Sequence, residues 1–305
     1  MTDRPWIQRR LGAEHFAQLT SGLSGSELQS VLLEVLQGRA HRRLAKEILA
    51  QFQRDSFCAP AAVDQRTSTA VDAHLLAAAT HFEAIELSPV SPLGTCASVA
   101  LTDQNRVLSA LRSTEVVSDP TNVLALHCTL RLREQPNRAV HFATCQRVVR
   151  AQPVPKLPGY TQHFRIFALA SAGLEQKDHA FTVETVSLHI RTMLAALTRL
   201  EQHGFEFGAR RVEIRATNQR AALADRIAEL QAVATHRTVL EHDYYSGGIR
   251  YVVWVTTREG TEVPLIDGGT FDWVAKLSAN RRAMFVASGA GAQLIPLQFC
   301  QYPAG

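Results

Sequence analysis

The sequence predicts an α+β fold in which an antiparallel sheet is flanked by helices and preceded by an N-terminal helical hairpin. Two patterns indicate this class: strand-like segments are mostly joined as hairpins, and long amphipathic helices follow them. The chain has 305 residues, 46% hydrophobic and 20% charged, which is enough apolar material for a sizeable core. We expect an N-terminal extension and linker in residues 1–68 and a core domain in residues 69–305.

The N-terminal extension shows two helical patterns. Ser24 or Ser26 can cap a helix that has Glu27 in its first turn. Apolar residues then recur at helical spacing, at Leu28, Val31, Leu32, Val35 and Leu36. After a break at Gly38, a second helix has an apolar face formed by Leu44, Ile48, Leu49 and Phe52. We expect this hairpin to dock on the core or on a protein partner, with residues 58–68 as the linker.

The core is predicted from shorter patterns. We expect a helix over residues 69–82 and a strand over 84–87. The stretch 95–101 is rich in β-forming residues, and 107–112 is expected to be helical. The remaining elements are expected in this order: a strand and a turn within 114–122, a helix at 123–132, a strand, loop and returning strand across 138–173, a helix at 181–202, a strand at 211–215, a helix at 219–233, a strand at 251–256, a helix at 271–280 and a strand at 283–288.

Composition and charge exclude several functional classes. The formal net charge is +4 and the arginines are spread along the chain, which argues against a nucleic-acid-binding surface. The five cysteines include no CxxC pair, so neither a zinc site nor a disulfide framework is expected, and the predicted location is the reducing cytoplasm. The N-terminus lacks the apolar segment of a signal peptide, and no apolar run reaches the ~20 residues that span a bilayer.

The strand, loop and strand at 138–173 contain the first candidate site. Arg147 and Arg150 lead into a loop with Lys156 and three prolines. A guanidinium group matches paired oxygen atoms, so this pattern suits an anionic ligand such as a nucleotide phosphate. A hairpin with a solvated basic loop is the simpler alternative. His163 is a candidate base, although a lone histidine more often has a structural role.

The second candidate site begins at Asp243, Tyr244 and Tyr245, which precede a glycine pair. Neighbouring side chains of a strand point to opposite faces, so one tyrosine is expected to face inward. Its hydroxyl beside Asp243 could orient a small polar ligand, and tyrosines that only pack in a hairpin are the alternative. Gly268 and Gly269 are predicted to form a tight turn, either beside the ligand or in an ordinary hairpin.

In this order, the segments resemble the catalytic core of class II aminoacyl-tRNA synthetases, in particular the histidyl-tRNA synthetase branch. FEAIELSP at 82–89 resembles the family's first motif, which implies a dimer interface. The segment 138–173 resembles the second motif, and the resemblance places Arg147 where the family binds ATP phosphate. Three later segments are similar to the histidine-binding segment, the glycine turn before the last helix and the third motif: DYYSGGIRYVVWV at 243–255, DGGTFDWV at 267–274 and FVASGAGAQL at 285–294.

The chain also departs from the family pattern. Gln293 and Leu294 stand where the third motif has a glutamate and the ATP-clamping arginine, and Leu240 is nearest to the arginine of the histidine-specific segment. Ile166 and Ala170 replace a glutamine and a glutamate for the substrate amine. Losing one such donor typically costs about 2.7–4 kcal/mol of transition-state stabilisation. The resemblance therefore implies that histidine activation is lost, and we expect no anticodon-binding domain after the core.

Three functions follow from the resemblance. The preferred one is a homodimeric, non-catalytic paralogue that binds a small molecule as a regulatory or scaffold protein, as the regulatory subunit of ATP phosphoribosyltransferase does. The second is a divergent enzyme that activates an amino acid or another carboxylate with ATP and magnesium, at a site formed by Arg147, Arg150, His163 and the 243–248 segment. The third is a tRNA- or protein-binding module that works through the N-terminal hairpin.

Overall fold

The computed structural model describes residues 5–154, 160–241 and 243–300, so Lys156 of the predicted basic loop lies outside the described residues. Eleven strands occur in these ranges: β1 (Glu83–Ala84), β2 (Val90–Pro92), β3 (Ser109–Ala110), β4 (Thr114–Val116), β5 (Val140–Val149), β6 (His163–Leu174), β7 (Arg210–Ala216), β8 (Thr235–Val239), β9 (Ile249–Thr256), β10 (Glu262–Phe271) and β11 (Ala283–Ala290).

Eight of these strands form one sheet in the order β1-β5-β6-β11-β10-β9-β7-β8, and β2, β4 and β3 form a small second sheet. The five central pairs of the large sheet are antiparallel. Only its edge strands pair in parallel, β1 with β5 and β8 with β7. The α+β fold with a mainly antiparallel sheet is therefore confirmed.

Eleven α-helices occur in the described residues: α1 (Pro5–Leu11), α2 (Ala13–Ala17), α3 (Gly25–Ala40), α4 (Ala45–Arg54), α5 (Gln65–Ala78), α6 (Thr95–Val99), α7 (Pro120–Glu134), α8 (Ala180–Glu201), α9 (Ala221–Glu229), α10 (Trp273–Ser278) and α11 (Leu294–Gln298). None of them combines the length and the hydrophobicity of a transmembrane span.

Each face of the large sheet has its own hydrophobic core. Helices α5, α8 and α9 cover the first face, where Ile190 of α8 packs with Phe167 of β6. Helices α7 and α10 cover the second face, where Leu124 of α7 packs with Phe285 of β11. Because the central strands are buried on both sides, the positions 166–173 of β6 form a continuous buried run rather than an alternating one.

The predictions for the longest elements are confirmed. The strands expected within 138–173 are β5 and β6, and the helix expected at 181–202 is α8. The helix expected at 123–132 is α7, which begins earlier because Asp119 caps its N-terminus and Pro120 occupies the first helical position.

Three predictions for shorter segments are wrong. The β-prone stretch 95–101 contains helix α6, because the carboxylate of Glu115 accepts backbone N–H bonds from Gly94 and Cys96, each 2.8 Å long, and so fixes the start of that helix. The stretch 107–112 contains β3 and a turn instead of a helix. Gly268 and Gly269 lie within β10, paired with both neighbouring strands, and do not form a turn.

The N-terminal helices form as predicted, with small differences in their ends. Ser24 caps α3, and its side chain and that of Glu27 bond reciprocally to backbone N–H groups. Helix α3 continues through the expected break at Gly38 to Ala40. The end of the expected linker at 58–68 overlaps helix α5, which already begins at Gln65.

Candidate functional site

A cavity of about 440 Å³ lies on the second face of the sheet, at the ends of β6, β10 and β11. Its lining contains two arginines and two aspartates as charged residues, with tyrosines and amides between them. The polar side chains used below are Arg106, Asp119, Asn122, Arg150, Gln152, Tyr244, Tyr245, Asp267 and Ser288. A concave site with a few polar groups on an apolar floor is typical of a small-molecule site.

The carboxylate of Asp267 is held in place by two neighbours. Arg250 donates from Nε to Oδ1 at 3.1 Å and from Nη2 to Oδ2 at 2.6 Å, and the Tyr245 hydroxyl donates to Oδ1 at 2.6 Å. The Asp267 carboxylate raises the pKa of the Arg250 guanidinium, chiefly through these hydrogen bonds. A carboxylate accepts about four hydrogen bonds, so Asp267 can accept another from a ligand in the cavity.

Arg150, another lining residue, is positioned by the residues at the start of α7. Its Nε donates to the carbonyl oxygen of Ser118 at 2.9 Å, and its Nη2 lies 3.5 Å from Oδ2 of Asp119. The guanidinium also stacks over the Phe164 ring, 5.2 Å from its centroid. Because Arg150 has further N–H groups, it can bind a ligand carboxylate while these contacts hold it in place.

Asn122 adds a polar atom that has no partner in the described part of the chain. The residue is 2% exposed and lines the cavity, and its Oδ1 atom accepts no hydrogen bond. An unsatisfied buried amide oxygen of this kind costs stability. Asn122 lies in the first turn of α7, three residues after the cap Asp119.

The two tyrosines belong to an aromatic cluster beneath the cavity. Tyr244 and Tyr245 lie in a turn before β9, and both rings contact Phe271. Burial is the largest cause that raises the pKa of each hydroxyl, so both stay neutral donors and acceptors at ordinary pH. Tyr244, Asp119, Arg150 and Asp267 all line the cavity.

The two glycines of β10 make room for aromatic rings. A Cβ atom at Gly268 would lie 2.5 Å from Ser288 Oγ and 2.7 Å from the Tyr251 ring. A Cβ atom at Gly269 would lie 2.5 Å from Cδ1 of Tyr245. Only glycine therefore allows Tyr251 and Tyr245 to pack against opposite faces of this strand.

A buried hydrogen-bond chain runs beneath the cavity floor. Tyr251 donates to Ser288 Oγ at 2.6 Å, Ser288 Oγ lies 2.7 Å from His189 Nδ1, His189 Nε2 lies 2.8 Å from Ser171 Oγ, and Ser171 Oγ lies 2.7 Å from His141 Nδ1. Each hydroxyl accepts one bond and donates the next if His189 carries its proton on Nε2. Burial and the nearby His141 lower the pKa of His189 to about 3, so the ring is neutral.

Three of the predicted ligand-binding residues, Arg147, His163 and Asp243, lie away from the cavity. Arg147 points to the first face of the sheet, where its Nη1 is 2.9 Å from His163 Nδ1 and 3.3 Å from Gln293 Oε1. The other ring nitrogen of His163 lies 2.6 Å from the carbonyl oxygen of Ala59 in the linker. Asp243 is exposed in its turn. Arg147, His163 and Asp243 are not among the residues that line the cavity.

The structure brings together four other predicted residues, Arg150, Tyr244, Tyr245 and Gly268, in the cavity lining, with Gly269 directly beneath Tyr245. The sequence analysis did not single out Arg106 and Asn122, which line the cavity, or Arg250, which holds Asp267 in place. The signal that could have located Asn122 was the Asp119–Pro120 pair, which marks a helix start rather than a turn. Asp267 was noted only as a neighbour of the two glycines.

The loop before β6 connects the N-terminal linker to the cavity. The Ser56 hydroxyl bonds to the side chain of Gln162. The backbone N–H of Arg150 donates to the carbonyl oxygen of Gln162 at 2.8 Å, and the Gln162 amide donates to the Gln152 carbonyl oxygen at 3.3 Å. Arg150 and Gln152 both line the cavity, so one residue joins the linker to its rim.

The cavity lining carries two positive and two negative side chains, Arg106 and Arg150 with Asp119 and Asp267. Asp119 is paired with Arg150, and Asp267 is paired with Arg250, which is not among the lining residues. No group of three or more histidine, cysteine, aspartate or glutamate side chains in the described ranges could hold a metal ion. Triphosphate binding needs an excess of positive charge and free acidic ligands for magnesium.

No protein-family model matches the sequence, and no curated protein matches it either. Solved structures do match. The ATP phosphoribosyltransferase regulatory subunit/histidyl-tRNA synthetase of Bacillus halodurans has a TM-score of 0.55 and 13% identity, with 78% of this chain and 81% of that chain covered. The histidine–tRNA ligase subunit of Alicyclobacillus acidocaldarius has a TM-score of 0.55 and 12% identity, with 78% and 95% covered. The fold is a class II synthetase-like core.

The apo histidyl-tRNA synthetase of S. aureus has the same class II core, with a TM-score of 0.54 and 10% identity over 76% of this chain. The alignment covers 64% of that synthetase. The resemblance deduced from the segment order is thus confirmed for the fold. Within this class II core, the hairpin β5–β6 and the segment β11–α11 are the parts whose sequences resemble the second and third motifs.

Proposed function

We propose that this chain is a histidyl-tRNA synthetase-like paralogue that binds a small zwitterionic ligand of the amino-acid class and does not activate it with ATP. The observation that carries this proposal is the mixed charge of the cavity lining, in which Arg106 and Arg150 lie with Asp119 and Asp267. A zwitterion has one carboxylate for an arginine and one ammonium group for an aspartate, so it matches such a site without adding net charge.

Each end of the ligand has a preformed partner. Arg150 is fixed by Ser118 and Asp119 and presents its remaining N–H groups for a carboxylate. Asp267 is fixed by Arg250 and Tyr245 and has an unused acceptor position for an ammonium group. Preorganised partners reduce the entropy that binding costs, which supports recognition of a small ligand by few contacts.

The absence of an activation step is supported by the charges and by the third motif. The charge balance disfavours a triphosphate, and Leu294 stands where the resemblance implies the ATP-clamping arginine. Gln293, at the place of the glutamate, is instead bonded to Arg147 at 3.3 Å. Adenylation needs positive charge on both sides of the triphosphate, and these residues supply too little of it.

A regulatory role and a dimer complete the proposal. One structural neighbour is described as an ATP phosphoribosyltransferase regulatory subunit/histidyl-tRNA synthetase, which supports a ligand sensor as a role for this core. The segment 82–89 resembles the dimer motif of the family, and β1 within it is an edge strand of the sheet. We therefore propose a cytoplasmic homodimer whose ligand occupancy is read by a protein partner.

Calorimetric titration with the twenty amino acids, without ATP or magnesium, tests the proposal. We expect one chemical class to bind, and both Arg150→Gln and Asp267→Asn to weaken binding by about 10–100-fold, as loss of a charged hydrogen bond does. Arg237 and Asp225 form a surface ion pair in β8 and α9, so Arg237→Gln and Asp225→Asn are matched controls that should bind normally.

A pyrophosphate-exchange assay tests for the ATP-dependent activation that the proposal excludes. Exchange with any amino acid above the rate of a heat-inactivated sample would establish ATP-dependent activation and overturn the non-catalytic assignment. Binding of ATP with magnesium in the absence of an amino acid would contradict the charge argument, because the cavity would then accommodate a triphosphate.

A further inference from the structure

The N-terminal arm, which we define as residues 5–54 with helices α1 to α4, presents large apolar side chains to solvent. No residue of these four helices is buried in the described structure. Nine large apolar residues of α3, α4 and the turn between them are between 39% and 58% exposed: Val31, Leu32, Leu33, Val35, Leu36, Leu44, Ile48, Leu49 and Phe52. So many exposed large apolar side chains in one segment indicate an interaction site.

Local signals explain why the arm is helical but not what covers it. Ser24 and Glu27 form a capping box on α3, and Glu47 accepts the backbone N–H of Leu44 at 2.9 Å at the start of α4. Helices shorter than about 12–15 residues are marginal in water without tertiary packing, and α4 has only 10 residues. The arm therefore needs a partner surface to stabilise it.

We propose that the partner is the arm of a second copy of this chain, with α3 packed antiparallel against the same helix of the other copy. The size of the surface fits. With the exposures of the nine residues, each arm leaves about 800 Å² of apolar surface, roughly half of it on α3 and half on α4 and the residue before it. Pairing of the α3 helices therefore reaches the share of each partner in a standard stable interface only if the α4 residues are buried in it as well.

The spacing and the charges favour the antiparallel arrangement. The apolar residues of α3 follow a three- and four-residue spacing from Leu28 to Leu36, which forms a seam for another helix. In an antiparallel pair centred near Leu32, Arg39 in the last turn of α3 approaches Glu27 in the first turn of the other copy. By symmetry this contact occurs twice, once at each end of the helix pair. A parallel pair would instead place the two copies of Arg39 side by side, where their charges repel.

This interface is separate from the dimer contact proposed at 82–89, and it is tested by the strength of self-association. The double variant Leu32→Lys with Val35→Lys places lysine on the seam. It should raise the dissociation constant for self-association at least tenfold in sedimentation equilibrium. Ser30→Lys with Gln37→Lys places the same charge on the opposite side of α3 and should leave it unchanged. Equal dissociation constants for the two variants would overturn the proposal.

Cross-linking tests the geometry with the full-length chain. In a Cys58→Ser background, Leu32→Cys should form a disulfide-linked dimer on mild oxidation, because the two copies of residue 32 meet at the crossing point. Ser30→Cys should not form it, and circular dichroism checks that both variants keep their helices. Absence of the Leu32→Cys cross-link, or arm-dependent binding to phosphatidylglycerol vesicles by a chain that stays monomeric, would refute pairing of arms.

Discussion

Asp267 and Arg250 face each other across β10 and β9, with Arg250 Nη2 2.6 Å from Asp267 Oδ2 and Nε 3.1 Å from Oδ1. The pair is partly exposed and is completed by the hydroxyl of Tyr245. The ion pair therefore also sets the position of an aromatic ring in the cavity lining.

Asp267→Asn should lower the free energy of unfolding by about 1–2 kcal/mol, because a partly exposed charged pair is replaced by weaker neutral bonds. Tyr245→Phe should cost less, since it removes one hydrogen bond and keeps the ring. Urea denaturation of both single variants and the double variant measures the coupling. A double variant that is simply additive would show that the Tyr245 hydroxyl and the carboxylate act independently.

Gly268→Ala should destabilise the protein by about 1–3 kcal/mol, as overpacking of a filled core does. The added methyl group would press on Ser288 Oγ and the Tyr251 ring. Gly289→Ala in the neighbouring strand is the control, because its Cβ would meet only the Ile166 side chain at 3.4 Å, an ordinary contact. Thermal melting compares the two, and equal melting temperatures would contradict the close packing around Gly268.

His189→Leu should cost about 1–3 kcal/mol of stability at neutral pH, because Ser171 and Ser288 each lose a hydrogen-bond partner. The variant should also change the pH dependence. The unfolded state takes up a proton near pH 6.5, whereas the native ring stays neutral down to about pH 3, so the unfolded state binds more protons between these values.

Native stability is therefore lost as the pH falls from about 6.5 towards 3, by as much as about 1.4 kcal/mol per pH unit from this residue. In His189→Leu this slope should be smaller by up to that amount. His236→Leu, at an exposed position of β8, is the control and should keep the wild-type slope. Denaturation at several pH values measures these slopes. If the free energy of unfolding of His189→Leu had the same pH slope as the wild type, His189 would not be the source of the pH dependence.

Cys58 should react with a thiol reagent much faster than Cys128 in the native protein. Cys58 is exposed, whereas burial strongly raises the pKa of the Cys128 thiol in the core beside α7. The reactive species is the thiolate, which needs both access and a low pKa. Mass spectrometry of partially labelled protein identifies the site, and Cys58→Ser should remove the fast phase. Rapid labelling of Cys128 would indicate local opening of the second core.

The long elements could be predicted because their signals are local. Helix α8 has an apolar stripe along six turns. Strand β6 has a continuous run of mostly apolar residues, which is typical of a strand that is buried on both faces. The class II core could then be deduced from the order of the segments, although each of them is short. Order is informative because a fold constrains which elements follow one another.

The short elements could not be predicted because distant residues decide them. Thr95, Cys96 and Val99 have β-forming character, but the carboxylate of Glu115, nineteen residues from Cys96, holds the start of a helix there. The sequence pair Gly268–Gly269 suggests a turn because adjacent glycines commonly occur in the turns that end strands. Their actual role is to admit rings that lie far away in the sequence.

The candidate site was predicted in part for a similar reason. Arg147 and Arg150 seemed to form one anion-binding pair, but residues three apart on an extended chain point to opposite faces of the sheet. The structure places Arg150 at the cavity and Arg147 beside His163 on the other face. Arg250 and Asp119 reach the site from other elements, so no local pattern could reveal their positions.

Gln162 has a mechanical consequence for the whole molecule. It forms hydrogen bonds both to Ser56, which follows the arm, and to the main chain of Arg150. The Gln162 side chain contacts Ser56 and its main-chain carbonyl oxygen accepts the backbone N–H of Arg150, while the neighbouring His163 contacts the Ala59 carbonyl oxygen. If two copies pair through their arms, self-association and ligand binding in the cavity would therefore both act on the loop before β6 and would be coupled to each other.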